Sequence, residues 1–346
     1  MRNPVEVSLT TEEPDKIPAG GHLGSGIFGR VYSDQSRLMG EIQGHKTFSP
    51  FYSFDIQHSG GRVERLAIKS PIKKTSRDLK ERFSSWDFLS DVEALAYSVG
   101  NLLDFISLTG MPEVLRIHAS AIQFGEHSLI FSGESDVGKT TMHLNLMLDE
   151  RFKFLSDDMV IARSGKVWPS FGPIRAYPHH FRNNELLRTH YLTGSTSTDK
   201  AHFLRRLLSL GQTGVRRTFR PDELFTDQRI GAPSTPHTLY FLQRTDEIGP
   251  GSITMAGRPL KDIIHLMRVN TFQDFQLYFR ELGWNQPSSN QGFLSATDNQ
   301  QSVFETKLGE FLGGAECFVV NIGRGVKPDA LVDFLKPKIL ATIDKK

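Results

Sequence analysis

Apolar and polar positions along this chain change period near residue 112, and the change divides it. Over residues 27–71 short β-like runs such as Phe51-Tyr52-Ser53-Phe54-Asp55-Ile56 are punctuated by Gly60-Gly61, which predicts a small sheet. From 76 to 108 the spacing becomes helical, with Leu95, Val99, Leu102, Leu103 and Ile106 on one face. Gly110-Met111-Pro112 ends that section and sets a boundary between an α+β region, 1–112, and a second domain, 113–346. Beyond it, strand-like runs at 114–124, 128–132, 152–157, 159–162 and 166–169 alternate with helical spacing. A strand at 238–242, helices at 260–268 and 271–282, a strand at 317–322 and a helix from Pro328 complete the pattern, which predicts an α/β domain. Residues 193–198 read as a loop and the polar stretch 286–301 as a surface insertion, and there are no internal repeats.

Composition adds exclusions. With 41 Lys and Arg against 39 Asp and Glu, the net charge is +2, so nothing in the overall balance argues for nucleic acid or a membrane surface as partner. A single cysteine, Cys317, excludes an internal disulfide framework and suits a reducing compartment. The first residues lack the apolar core of a signal peptide, and no apolar run approaches the ~20 residues of a membrane span. The expectation is a cytoplasmic protein.

The chemistry is stated most plainly by Gly133-Glu134-Ser135-Asp136-Val137-Gly138-Lys139-Thr140, which fits the phosphate-loop pattern G-x-x-x-x-G-K-[ST]. The pattern needs a strand before it and a helix after it. Ser128-Leu129-Ile130-Phe131 and the helical run from Thr140 and Thr141 supply both. Backbone N–H groups of such a loop wrap phosphate oxygens at a helix N-terminus, Lys139 would reach the β- and γ-phosphates, and the Thr140 hydroxyl would hold Mg²⁺. These residues predict ATP and Mg²⁺ as cofactors.

The flanks narrow the class. Arg116-Ile117-His118-Ala119-Ser120-Ala121 places a histidine on the strand leading into the loop, fifteen residues before Gly133 (133 − 118). Phe154-Leu155-Ser156-Asp157-Asp158 puts adjacent carboxylates at a strand end, and Gly172-Pro173-Ile174-Arg175 follows. This order of histidine, loop, Asp-Asp pair and Ile-Arg turn resembles the HPr serine kinase/phosphorylase family and its relatives with the phosphoenolpyruvate carboxykinase-like P-loop fold. The resemblance is good over about 114–180, loose beyond, and absent from 1–112. It implies an α/β domain with a mixed sheet and ATP-dependent phosphoryl transfer to a serine or threonine hydroxyl of a peptide or protein. It further implies Asp157 as base, Asp158 with Thr140 as metal ligands, His118 near the γ-phosphate or metal, and Arg175 on a phosphate. A homo-oligomer, hexameric in the family, comes with the same likeness. Phosphoryl transfer needs a cradle, a metal and a base at the acceptor, and two carboxylates can divide the last two tasks. Adjacent strand residues face opposite ways, so both can act only where the strand has ended. The plain alternatives are an Asp-Asp turn without chemistry, a core histidine and a surface salt bridge at Arg175.

The departures also carry information. Asp136 stands where the family's loop has glycine, and Pro173 where it has a glutamate. No lysine occurs between Arg82 and Lys139, so the metal-binding lysine of the carboxykinases has no counterpart, which argues against oxaloacetate decarboxylation. An ATP-binding regulatory or scaffold protein with little transfer, or a small-molecule kinase in a closed apolar pocket, remains an alternative. The basic residues Lys200, Arg205, Arg206, Arg216, Arg217 and Arg220 offer either a docking surface for an acidic ligand or a solvated helix face. A second glycine pattern, Leu23-Gly24-Ser25-Gly26-Ile27-Phe28-Gly29-Arg30-Val31 with Ala67-Ile68-Lys69, imitates a eukaryotic protein kinase lobe. The catalytic-loop and metal-loop motifs of that class are missing, so it reads as a turn between strands.

Overall fold

The computed structural model describes residues 6–10, 28–33, 37–43, 51–59, 62–69, 114–170, 174–177, 180–181, 184–193, 217–284 and 290–343. The chain divides into two compact units, Met1–Pro112 with Asp274–Ser302, and Glu113–Gln273 with Val303–Lys346. The division expected from the sequence was 1–112 and 113–346; residues 274–302 group with the first unit. Residues 273 and 302 fall inside continuous helices, where no glycine or proline marks a boundary.

In the first unit, β1 (Glu6–Thr10), β2 (Phe28–Ser33), β3 (Arg37–Gln43), β4 (Phe51–Ser59) and β5 (Arg62–Lys69) form a sheet in the order β1-β5-β4-β3-β2. All its pairings are antiparallel except β1 with β5. Lys69 on β5 is separated from β2 by β4 and β3, so it does not stand beside the glycine pattern as a kinase lobe requires. Residues 23–27 of that pattern and the helical section expected at 76–108 lie outside the described residues.

The second unit is mixed α/β. Its eight-stranded sheet runs β10 (Lys166–Trp168), β9 (Met159–Arg163), β6 (Val114–Phe124), β7 (His127–Gly133), β13 (Thr235–Arg244), β15 (Glu316–Ile322), β14 (Ile253–Gly257), with β8 (Phe152–Ser156) also on β6. Strands β7, β13 and β15 are parallel and the outer ones antiparallel. A two-stranded ribbon pairs β11 (Ile174–Ala176) with β12 (Arg217–Phe219). The helices are α1 (Lys139–Leu146), α2 (Glu185–Thr193), α3 (Pro221–Leu224), α4 (Leu260–Trp284), α5 (Asn290–Leu312) and α6 (Pro328–Ile343). No helix among the described residues is long and apolar enough to cross a membrane.

Strand alternation sends Phe131, Tyr240, Leu242, Val320 and Ile322 to one face, where they join Met142 and Leu146 of α1 and Leu331, Leu335 and Ile339 of α6 in one buried cluster. The rings of Phe131, Tyr240 and Phe318 stack across three neighbouring strands, with centroids 5.5 and 5.7 Å apart. Helix α6 therefore clamps α1 against the sheet, which fixes the loop that α1 follows.

Three features depart from or add to the expected pattern. The helices expected at 260–268 and 271–282 are one, α4, because Asn270 and Thr271 are buried and hydrogen-bonded to β6. Tertiary contacts override their weak helix preference. Residues 290–301 of the stretch 286–301 are the first turns of α5, which continues into Phe304, Leu308, Phe311 and Leu312 at helical spacing on a buried face, while 286–289 lie outside the described residues. Strands β11, β12 and β14 had no sequence signal, being three to five residues long and lacking strict alternation.

Parallel pairing of β7 with β13 brings Gly133 opposite Leu242. A Cβ on Gly133 would lie 2.0 Å from the Leu242 carbonyl oxygen, and the residue's φ of 136° suits glycine alone. Gly133→Ala should destabilise the second unit by roughly 3 kcal/mol or more through combined overlap and strain. A urea midpoint within error of wild type would show that the strands can part without cost.

Candidate functional site

The long strand β6 organises the site. Its first half pairs with β9 and its second with β8, so β8 and β9 run end to end along it, and Asp157-Asp158 is the break between them. There Met159 N–H bonds Asp157 C=O at 2.9 Å, and Asp158 N–Cα lies at φ 70°. This is a three-residue turn of the strained hand. The strand ends at Ser156, so the pleat no longer sends the two carboxylates to opposite faces. Ala119, whose N–H donates to Asp158 C=O at 3.2 Å, pairs on its other side with Ser132, the residue before the glycine loop. Two strand spacings, about 10 Å, thus set the Asp pair beside the loop.

The loop runs from the end of β7 to the start of α1, as its motif requires. Positive φ angles at Gly133 (136°), Asp136 (60°) and Gly138 (111°) turn it. At Gly138 a Cβ would meet Leu331 of α6 at 2.8 Å, so the second glycine lets α6 close on the loop. The Lys139 ammonium is buried and donates to the carbonyls of Gly133 (2.6 Å) and Glu134 (2.7 Å). Glu134, Ser135 and Asp136 are exposed, and Val137 is buried.

A cleft of about 510 Å³ joins these parts, lined by His118, the loop from Ser135 to Thr141, Asp157, Asp158, Arg175, Tyr177, His180, Arg244 and Pro328. The structure therefore gathers the four expected catalytic positions, Lys139, His118, Asp157 and Arg175, at one place. Thr140 Oγ1 donates to Asp157, 3.1 and 3.2 Å from its two oxygens. Arg175 Nη1 lies 3.0 Å from Asp158 Oδ2, and His118 Nε2 3.7 Å from Asp158 Oδ1. The backbone of His118 is held by side chains: its N–H reaches Thr271 Oγ1 at 3.3 Å, and its carbonyl accepts from Ser132 Oγ at 2.9 Å. Pro173 lies outside the described residues, as does the basic segment up to 216. Arg220 is exposed and pairs with Asp222 at 3.0 Å, which fits the solvated-face reading for that residue.

Asp157 and Asp158 live in different surroundings. Asp157 is 3% exposed, and burial, followed by the neighbouring charge of Asp158, pushes its carboxyl up to about 7. The Thr140 hydrogen bond and the charges of Arg175 and Lys139 pull the other way without cancelling this. Asp158 is 40% exposed and ion-paired. Cys317 is buried on β15, and burial pushes its thiol up to about 11, which suits a structural residue.

For Mg²⁺, Thr140 and the two aspartates present adjacent oxygen donors of the hard type that ion takes. No cluster of three or more His, Cys, Asp or Glu forms a protein cage among the described residues. Mg²⁺ bound with substrate phosphates needs only one or two carboxylates, so the donor set fits it.

Sequence reasoning missed four lining residues, Tyr177, His180, Arg244 and Pro328 at the start of α6. Arg244 ends β13 two residues past Leu242, the partner of Gly133, so parallel pairing carries it to the loop's mouth. The signal existed, since ligands in α/β sheets gather at the carboxyl ends of parallel strands. Tyr177 and His180 follow β11, which had no signal of its own. No protein-family model and no curated protein matches the chain.

Two buried groups give opposite pH slopes. Asp157, raised from 3.8 to about 7, withdraws stability as pH rises across that interval, because the unfolded chain ionises first. His143 on α1, edge-on to Phe154 at 5.1 Å, is lowered by burial from 6.5 to about 3 and adds stability as pH rises between those values. Asp157→Asn should remove the opposing slope, so that its urea midpoint climbs more steeply with pH between 3.8 and 6.5 than that of wild type. Parallel midpoint curves would refute the buried, near-neutral state of Asp157.

Proposed function

We propose that the second unit is an ATP-dependent kinase domain of the HPr kinase-like type, with the P-loop fold of that family, transferring the γ-phosphate to a serine or threonine hydroxyl of a peptide or protein. The observation that carries this reading is the convergence of a glycine loop, its Lys139 and Thr140, and an Asp pair in one cleft. The loop amides at the start of α1 and the Lys139 ammonium bind the phosphates. Arg175 and Arg244 stand at the side where charge develops on the transferring group, the place an arginine serves in phosphoryl transfer. Asp157 accepts the acceptor's proton, a task matched to a carboxyl held near 7. Thr140 and Asp158 hold Mg²⁺, which when bound neutralises phosphate charge.

One contact supports the opposite division between the carboxylates. The Thr140 hydroxyl touches Asp157, and P-loop enzymes hold their metal with the loop hydroxyl and a strand-end Asp. On that reading Asp158 faces the acceptor, steadied by Arg175. The Mg²⁺ dependence of ATP binding separates the two: the metal ligand is the aspartate whose Asn variant binds ATP no better with Mg²⁺ than without it.

The activity is tested by incubating the protein and γ-labelled Mg·ATP with an extract of the producing cells. Wild type should label a peptide or protein, Lys139→Ala and Asp157→Asn should lose about 10²-fold or more of the rate, and Arg244→Ala should lose activity comparably. ATP binding without any labelled product would assign the domain to nucleotide-dependent regulation or scaffolding instead.

Asp136 supplies a separate check. Its exposed carboxylate opposes a phosphate cradle, and its left-handed φ of 60° is one that glycine adopts without strain. Asp136→Gly should tighten ATP binding roughly three- to tenfold, most at low salt. Unchanged affinity would mean that the carboxylate points away from the phosphates.

A further inference from the structure

The phosphate chemistry above leaves one end of the cleft unassigned. On β11 the alternation buries Ile174 and Ala176 and turns Arg175 and Tyr177 toward the cleft. Arg175 grips Asp158, while Tyr177 belongs to a different neighbourhood. The Tyr177 backbone N–H donates to His180 Nδ1 at 3.0 Å, so the neutral imidazole carries its proton on Nε2, which lies 2.9 Å from Thr141 Oγ1. His180 is buried, and the Tyr177 and His180 rings meet edge to face with centroids 6.0 Å apart.

These contacts give the cleft a direction. In a phosphate loop the lysine reaches the β- and γ-phosphates while loop amides cradle the α- and β-phosphates. The transferring end therefore faces Asp157, Asp158 and Arg175, and the chain leaves the loop on the Thr141 side. Thr141 is the residue that His180 holds, and Tyr177 stands next to it.

We propose that Tyr177, with His180 as the positioning residue bonded to Thr141, forms the wall against which the nucleoside of the bound nucleotide packs. The inference rests on the phosphate-loop reading and deepens it by assigning the end that distinguishes a nucleotide from a bare polyphosphate. The half-buried Tyr177 ring offers a face or edge for stacking, a mode that accepts a planar base without a hydrogen-bond code.

The test compares ATP with tripolyphosphate, each titrated into the full chain by calorimetry with Mg²⁺ present. Wild type should bind ATP more tightly. Tyr177→Ala and Tyr177→Leu should weaken ATP by about ten- to hundredfold and leave tripolyphosphate unchanged, with Tyr177→Phe near wild type. These substitutions keep the backbone N–H that holds His180, so retained tripolyphosphate binding also reports an intact loop. Equal weakening of both ligands, or of neither, overturns the nucleoside wall while leaving the loop in place; wild type that binds neither overturns the phosphate-loop reading as well. A second experiment needs no variant: 8-azido-ATP photolysed on wild type should label the tryptic peptide Ala176 to Arg182, and labelling confined to other peptides overturns the assignment.

Discussion

Burying the Asp157 carboxylate is the constraint around which the cleft is arranged. Removing an ionised carboxyl from water is costly unless it is paired and hydrogen-bonded. Here the hydroxyl of Thr140 donates to it, Lys139 is anchored on the loop's own carbonyls, and Arg175 sits on Asp158. Desolvation and the adjacent negative charge therefore win, and the carboxyl rests near 7. A fold selected for stability alone would place an apolar group or a hydroxyl at this position. Retaining a carboxylate there makes sense where a proton or a cation is exchanged, which is the role the proposed kinase chemistry gives it.

The same constraint explains why the strand breaks where it does. If β8 and β9 were one regular strand along β6, one aspartate would face the cleft and the other the opposite side of the sheet. The turn at Asp158 costs backbone strain of order 1–3 kcal/mol. It is held because the strands on both sides are paired to β6 and Ala119 N–H bonds the turn's own carbonyl. The β6–β7 register, with Ala119 opposite Ser132, then converts a local kink into a two-carboxylate site beside the loop. The geometry depends on backbone pairing, so the side chains at the turn can differ in burial and in acidity while remaining neighbours.

How much of this was legible in the sequence follows from the range of each signal. The strand, loop and helix around Lys139 were readable because the motif and its context are contiguous. The strand carrying His118 was readable because it is eleven residues long, and those flanking the Asp pair because apolar residues dominate Phe152–Leu155 and Met159–Ala162. Their convergence was an expectation taken from resemblance, since the register that produces it is a non-local fact. Arg244 was missed for that reason: it lies more than a hundred residues from Lys139 and reaches the loop only through the pairing of β13 with β7. Tyr177 and His180 were missed because β11 is three residues long, its role visible only from which residues it buries. The helix that begins at Asn290, inside the expected insertion, was obscured by its polar first turns, while its apolar anchors lie further on, at Phe304, Leu308 and Phe311.

Asp136 makes the two ends of the cleft interdependent. A phosphate loop works through converging N–H groups and a positive charge, and a carboxylate at its lip subtracts from both. If the loop alone supplied affinity, nucleotide would bind poorly, because the Asp136 carboxylate repels the phosphates that Lys139 attracts. On the proposed reading, an aromatic wall on the Thr141 side would supply binding energy that does not depend on charge, so that a nucleotide would be retained while the same carboxylate disfavours inorganic phosphate and polyphosphate. On that reading the loop's departure from glycine would select among anions as well as weaken their binding, because a ligand carrying a ring to set against Tyr177 would recover what Asp136 takes away.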